Sequence, residues 1–222
     1  MVRRTKEEAQ ETRSRILDTA EQVFFEKGVS RTSLTDIAQA AGVTRGAIYW
    51  HFRNKSDLFE AMFARIKMPF DELVEATIDI NEPDPLSRIR ELLMLVFEGT
   101  ATNPQRARVL DILYFKCEFT EEMGAVLSRH TDAMRDAREK MAAGLRNAMA
   151  KGQLPADLDT RHASVMLHGF LNGMLADWLL SPDHVDLEGQ SGRYIDALFD
   201  MFRNSPALRL RAATHSAGRV AS

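Results

Sequence analysis

The stretch 33–52 constrains the fold more tightly than any other part of the chain. Leu34, Ile37 and Ala38 recur at three and four and give a short helix one apolar face. Ser33 and Asp36 stand at capping-box spacing, with Asp in the place of the usual Glu, and start that helix, which runs to about Ala41. Gly42 stands where the chain must turn sharply, in a positive-φ conformation that glycine adopts without steric cost. Thr44 caps a second short helix that ends near Phe52. Val43 and Ile48 supply the facing contacts, and Ala38 is small where the two helices must approach. Two short helices and a tight turn read as a helix-turn-helix. Such a unit places the first residues of its second helix in the major groove of DNA.

Thr44 and Arg45 occupy that leading turn, and Arg45 can present two donors to guanine O6 and N7. Gly46 and Ala47 keep the nearby surface low. Tyr49 and His51 are placed to meet sugar-phosphate or a thymine methyl. Lys55 opens the next helix, where its charge and the free backbone N–H groups can hold a phosphate. Arg3, Arg4 and Lys6 form a short basic arm that adds salt-sensitive affinity. Plainer readings stand beside these. Tyr49, Trp50 and Phe52 can close the small core, Arg45 can be a solvated charge, and His51 can be a capping or surface residue.

Charge divides the chain. Residues 1–67 carry 12 Lys and Arg against 9 Asp and Glu, whereas the remainder carries 17 against 23. A mildly basic module therefore precedes an acidic one, and the two suit different partners. The net charge of -3 excludes a protein that coats nucleic acid through charge alone, but not a local basic face. The chain is 45% hydrophobic, enough for a sizeable core. Cys117 is the only cysteine, which excludes an internal disulfide and a cysteine-rich zinc site. No apolar signal segment opens the chain, and no apolar run of about 18 residues occurs, so the expectation is a soluble cytoplasmic protein without a membrane partner.

Strict period-two runs are missing, so the fold class expected is all-α. The first helix covers about 7–27, with Ile16, Leu17, Ala20 and Phe24 as its stripe and Gly28 as its stop. Asn54 and Asp57 open a longer helix from Lys55 towards about residue 78. Asp84 before Pro85, and Asn103 before Pro104, are caps followed by proline at the first helical position. Asp159 caps a later helix. Helices are expected near 85–101, 104–117, 121–151, 159–180 and 188–204. The domains are then 1–54 for DNA binding, 55–205 for ligand binding and dimerisation, and 206–222 as a mobile tail.

Residues 13–59 resemble the N-terminal domain of TetR-family transcriptional regulators. The resemblance rests on Arg13-Ser-Arg-Ile-Leu-Asp-Thr-Ala, Thr32-Ser-Leu-Thr-Asp-Ile-Ala, Ala41-Gly-Val-Thr-Arg-Gly-Ala-Ile-Tyr-Trp-His-Phe and Asn54-Lys-Ser-Asp-Leu-Phe. Arg3-Arg-Thr-Lys-Glu-Glu-Ala-Gln-Glu-Thr-Arg, Lys116-Cys-Glu-Phe and Gln153-Leu-Pro-Ala-Asp are similar to the AcrR-like branch, which represses multidrug efflux pumps. The resemblance implies a three-helix head, a larger helical ligand domain and a homodimer whose operator binding weakens when ligand binds. It implies DNA-facing roles for Thr44, Arg45, Tyr49, His51 and Lys55. A repressor, an activator and a dual regulator share such a head. A helical protein that meets a protein partner is the remoter alternative.

Two heads tied by symmetry read a palindrome. Val165, Gly169, Gly173 and Ala176 suit close helix contact, and Ile195, Leu198, Phe199 and Phe202 form a stripe at three-four spacing. Paired across a two-fold axis these helices give a four-helix interface; packed within one chain they give ordinary core. Leu92, Leu93, Val96, Leu110, Leu113, Met141 and Leu171 can wall an apolar cavity around the polar Tyr114, Cys117, His168 and Asn172. Such a cavity suits small hydrophobic or aromatic effectors, although Cys117 also reads as a small buried hydrophobe. His162 and His168 fall on different helical faces, and no metal, nucleophile or phosphate-loop motif occurs, so neither a metal, a cofactor nor an enzyme is expected.

Overall fold

Gly28 takes φ 82° and ends the first helix, α1 (Lys6–Lys27). The structure, a computed structural model, describes residues 6–66, 71–118 and 123–210. Arg3 and Arg4 of the expected basic arm lie outside them, as do Phe119 and residues 211–222 of the expected tail. The helices α2 (Leu34–Ala40) and α3 (Arg45–His51) follow. Both halves of the capping box form: the Ser33 hydroxyl accepts from the Asp36 N–H, and the Asp36 carboxylate accepts from the Ser33 N–H at 2.8 Å. Gly42 takes φ 64° in the turn. Ile16, Leu17 and Phe24 pack with Ile37, Ile48 and Phe52 beneath the two short helices.

Asn54 caps α4 (Lys55–Arg65), whose Leu58, Phe59 and Met62 complete this core. The single helix expected over 55–78 is corrected to two, because α5 starts afresh at Asp71 (Asp71–Ile78) and residues 67–70 lie outside the described residues. Pro69 lies within the expected span, has no N–H to give a helix and restricts the residue before it. At the end of α4 the Ile66 carbonyl accepts from the buried Arg106 guanidinium at 2.7 Å.

The body comprises α6 (Pro85–Ala101), α7 (Pro104–Asp111), α8 (Gly124–Ala150), α9 (Thr160–Leu180) and α10 (Leu187–Asn204). Asp84, Asn103 and Asp159 cap as their spacing predicts. The helix expected over 104–117 is modified, since its end widens into a π-helical turn at Ile112–Lys116. The core under the head continues into Val109, Leu110, Ile112 and Val126, so head and body share it. A second core gathers Leu93, Phe97, Leu145, Leu167, Phe199 and Phe202. The tail reading is corrected for residues 206–210. Leu208 is buried, and the Leu210 N–H donates to the Asp157 carbonyl at 2.8 Å. Arg209 also donates to the Phe202 carbonyl at 3.0 Å, closing the end of α10.

Candidate functional site

Ile48 and Phe52 are buried and seat α3 on the head. That anchoring turns Thr44, Arg45, Gly46, Tyr49 and Trp50 outward, with Trp50 73% exposed. The Thr44 hydroxyl accepts from the Ala47 N–H at 3.1 Å. The Arg45 guanidinium stands 5.6 Å from the centre of the Tyr49 ring, a cation–π contact that holds both on one face. His51 is half-buried and meets the Trp50 ring edge-on at 4.5 Å. A Cβ on Gly46 would meet only the Thr44 hydroxyl, at 3.9 Å. The fold therefore does not require glycine there, although glycine weakens a helix by about 0.5–1 kcal/mol.

Sequence reasoning passed over Arg31 and Arg53, which line a shallow depression with Ser33, Tyr49 and Asn54. Arg53 pairs with Asp57 at 3.3 Å but stays largely exposed. The available signal was its place in the chain, between the end of α3 and the Asn54 cap of α4. Lys55 lines the same depression, is only 5% exposed, and its ammonium donates to the Thr32 carbonyl at 3.0 Å.

Two cavities flank α8. The larger, about 400 Å³, lies among α5, α6, α8 and α9. Leu92, Leu93 and Met141 line it, together with Val74, Thr77 and Leu167. The smaller, about 260 Å³, lies between α4, the π turn and α8. Leu113 lines it with Phe59, Glu60, Phe63 and His130. Ala133 borders both. The missed signal is the series Ala133, Ala137 and Met141, whose four-residue spacing sets two small side chains along one face of a charged helix. Glu60 forms an ion pair with Arg129 beside the smaller cavity. Burial holds His130 below its ordinary pKa.

The other expected cavity residues are corrected. Val96 and Leu110 are buried in the two cores, and Leu171 packs against the second. Cys117 packs against the head's core, where burial pushes its thiol up to about 11. Tyr114, His168 and Asn172 line neither cavity, because their polar groups satisfy one another. The Tyr114 hydroxyl donates to Asn172, whose amide donates to the His168 carbonyl at 2.7 Å.

Residues 16–62 match the family described as bacterial regulatory proteins, tetR family, and residues 84–204 match the MAATS-type transcriptional repressor C-terminal region. The chain belongs to the tetR family. It is 45% identical over 209 residues to the HTH-type transcriptional regulator TtgR of Pseudomonas putida, covering 94% of this chain and 100% of the relative. It is 41% identical over 210 residues to the HTH-type transcriptional regulator AcrR of Shigella flexneri, covering 94% and 97%. Its fold matches the crystal structure of NalD, the secondary repressor of the MexAB-OprM multidrug efflux pump in Pseudomonas aeruginosa. That match has a TM-score of 0.82 at 34% identity, over 90% of this chain and 100% of that one. Its place in the AcrR-like branch follows from these similarities across both halves of the chain.

For a tetR-family chain the remaining surface of interest is the last pair of helices. Ile195, Leu198, Phe199 and Phe202 do not face outward: all four are buried in the chain's own second core, which corrects their expected place in a dimer face. The stripe on α9 is different. Val165 is 55% exposed, Leu180 is 67% exposed, and Gly169 and Gly173 are exposed with open space where a Cβ would stand. Ala176 is half-buried beside them. Among the described residues no helix is long and apolar enough to cross a membrane, and no cluster of three His, Cys, Asp or Glu could hold a metal.

Proposed function

We propose that this protein is a ligand-responsive repressor of a multidrug efflux operon, released from a palindromic operator by small apolar or aromatic effectors. One observation carries the reading. The helix that follows the recognition unit, α4, is also a wall of a cavity, through Phe59, Phe63 and Ala64. An effector wedged between α4 and α8 shifts α4 and, with it, the angle at which Thr44, Arg45, Tyr49 and His51 meet the groove. Arg31 and Arg53 add sequence-independent phosphate contacts. The larger cavity admits a drug-sized apolar molecule. The efflux assignment is supported by the likeness to NalD.

The working unit in this proposal is a homodimer joined through the outer face of α9. Val165, Gly169, Gly173 and Ala176 lie at four- and three-residue spacing, and the bare glycines let a second helix approach closely. Nothing lies within 4 Å of where a Cβ would stand on either glycine. Two linked heads then read the two halves of a palindrome.

Binding of effector and operator is coupled, so their effects are reciprocal. An effector that weakens operator affinity tenfold is itself bound tenfold more weakly on the operator, about 1.4 kcal/mol of coupling. Genomic footprinting with and without a panel of aromatic drugs tests the whole reading. It is expected to show a protected palindrome beside a transporter promoter, lost when drug is added. Equal drug affinity with and without the captured operator overturns it.

A further inference from the structure

The short helix α7 of the body grips the head at two places. Gln105 and Arg108 stand three residues apart on α7, and both reach Glu21 of α1. The Gln105 amide donates to Glu21 Oε2 at 3.1 Å, and the Arg108 guanidinium donates to Oε1 at 3.3 Å. Each carboxylate oxygen thus has its own partner. Between those two residues, Arg106 donates to the Ile66 carbonyl at the end of α4 at 2.7 Å and to the Thr100 hydroxyl of α6 at 2.9 Å. The far end of α7 passes straight into the π turn, whose Leu113 lines the smaller cavity. At the close of that turn, the Lys116 carbonyl accepts from the Val29 N–H of the head at 2.9 Å.

We propose that Glu21 is a positioning residue, the handle by which α7 turns the whole head when an effector moves the π turn. The proposal rests on the repressor reading above and adds to it a path that does not run along α4. A carboxylate at 3% exposure is costly to desolvate, and an apolar side chain would fill the same place at lower cost. What the carboxylate supplies is direction. Two hydrogen bonds from two side chains of one helix hold α1 at one angle to α7, whereas the apolar contacts of Phe24, Val109 and Ile112 in the shared core are non-directional. Asp18, three residues earlier on α1, gives the contrast. It pairs with Arg65 of α4 at 2.6 Å, but its side chain is 60% exposed, and an exposed pair fixes little. Because α7 holds both α1 and the end of α4, an effector that touches Phe63 and Leu113 moves the head as one body.

Three variants of the full-length protein test the handle. Glu21→Gln keeps the shape and removes the charge, Arg108→Met removes the partner from a half-buried position, and Asp18→Asn is the control. The Val29 N–H joins head to body, so its exchange, measured without DNA or effector, reports their docking. The Phe52 N–H, bonded to the Ile48 carbonyl at 2.9 Å, reports the head alone. In Glu21→Gln and Arg108→Met, exchange at Val29 is expected to speed roughly tenfold or more with Phe52 unchanged, and in Asp18→Asn both stay as in the wild type. Unchanged exchange at Val29 in the first two variants overturns the proposal. So does equal acceleration at Val29 and Phe52, which assigns Glu21 to the folding of the head. The second measurement uses 1-naphthol and the duplex captured by footprinting. The factor by which 1-naphthol weakens duplex binding is expected to fall below about a third of its wild-type value in Glu21→Gln and in Arg108→Met, but not in Asp18→Asn. Wild-type coupling in Glu21→Gln overturns the proposal. A wild type in which 1-naphthol and the duplex bind without coupling counts against the repressor reading instead, while exchange at Val29 still decides whether Glu21 fastens the head to α7.

Discussion

The Tyr114 hydroxyl donates to Asn172 Oδ1 across 2.5 Å and ties the π turn to α9. Burial pushes the Tyr114 phenol up to about 12, and burial, then the charges of Arg138 and His130, hold His168 below its ordinary 6.5. The signs differ at the two ends of the pH scale. The stability tied to Tyr114 is present below about 10 and is lost as pH rises towards 12, because the unfolded chain releases its proton first. The stability tied to His168 and His130 is present above 6.5 and is lost as pH falls through their depressed values. Denaturant midpoints measured against pH should therefore decline on both flanks. Tyr114→Phe should lessen the alkaline flank, to which the raised Cys117 thiol also contributes, and His168→Gln together with His130→Gln should flatten the acid one. An acid flank unchanged in the double variant removes the histidines from the account.

Arg45 is exposed, and its guanidinium lies over the Tyr49 ring. Arg45→Ala should fold and assemble normally. Its preference for operator over random duplex should fall by about 1–3 kcal/mol, the value of one bidentate base contact. Competition binding with the two duplexes measures it, and an unaltered ratio rejects the base contact.

Gly46 is a helical glycine with only ordinary contact distance above it. Gly46→Ala should raise the stability of the protein by about 0.5–1 kcal/mol in denaturant unfolding. The same change should weaken operator binding, because the added methyl stands where DNA approaches. A variant that is more stable and binds equally well leaves Gly46 outside the interface.

Ala133 borders both cavities. Ala133→Leu places three further carbons where the two spaces meet. Calorimetric titration should show drug affinity falling at least tenfold, with operator affinity unchanged in the absence of drug. Loss of both together indicates damage to α8 rather than a filled cavity.

Gly173 has nothing within 4 Å of where a Cβ would stand. Gly173→Arg should preserve helical content while splitting the proposed dimer into monomers, read by sedimentation equilibrium. Operator affinity should collapse with it. A variant that remains dimeric moves the two-fold axis away from this face of α9.

Much of the head was legible because its signals are local. Ser33, Thr44 and Asn54 each satisfy backbone groups within four residues, so capping is written in short spacings. Gly28 and Gly42 take positive φ for the same near-neighbour reason. The faces of later helices were less legible. Ile195, Leu198, Phe199 and Phe202 form a clean stripe, but periodicity states only that a stripe is buried, not which partner buries it. Tyr114 and Asn172 were recognised as polar groups in apolar helices; that they bond each other across 58 positions depends on how α9 crosses the π turn.

The order of residues by itself determined the helices, their caps, the turn at Gly42 and the outward set Thr44, Arg45 and Tyr49, because each follows from interactions within one or two helical turns. Tertiary structure alone decided the hold on the Ile66 carbonyl, the inward aim of Lys55 and the space around Ala133. Each of these arises from a group distant in the chain: Arg106 takes the Ile66 carbonyl, Thr32 accepts from Lys55, and helices from both halves of the body enclose Ala133. A backbone carbonyl has no sequence identity of its own. Which cation finds it, and which void is left between helices, is set only when the elements are packed together.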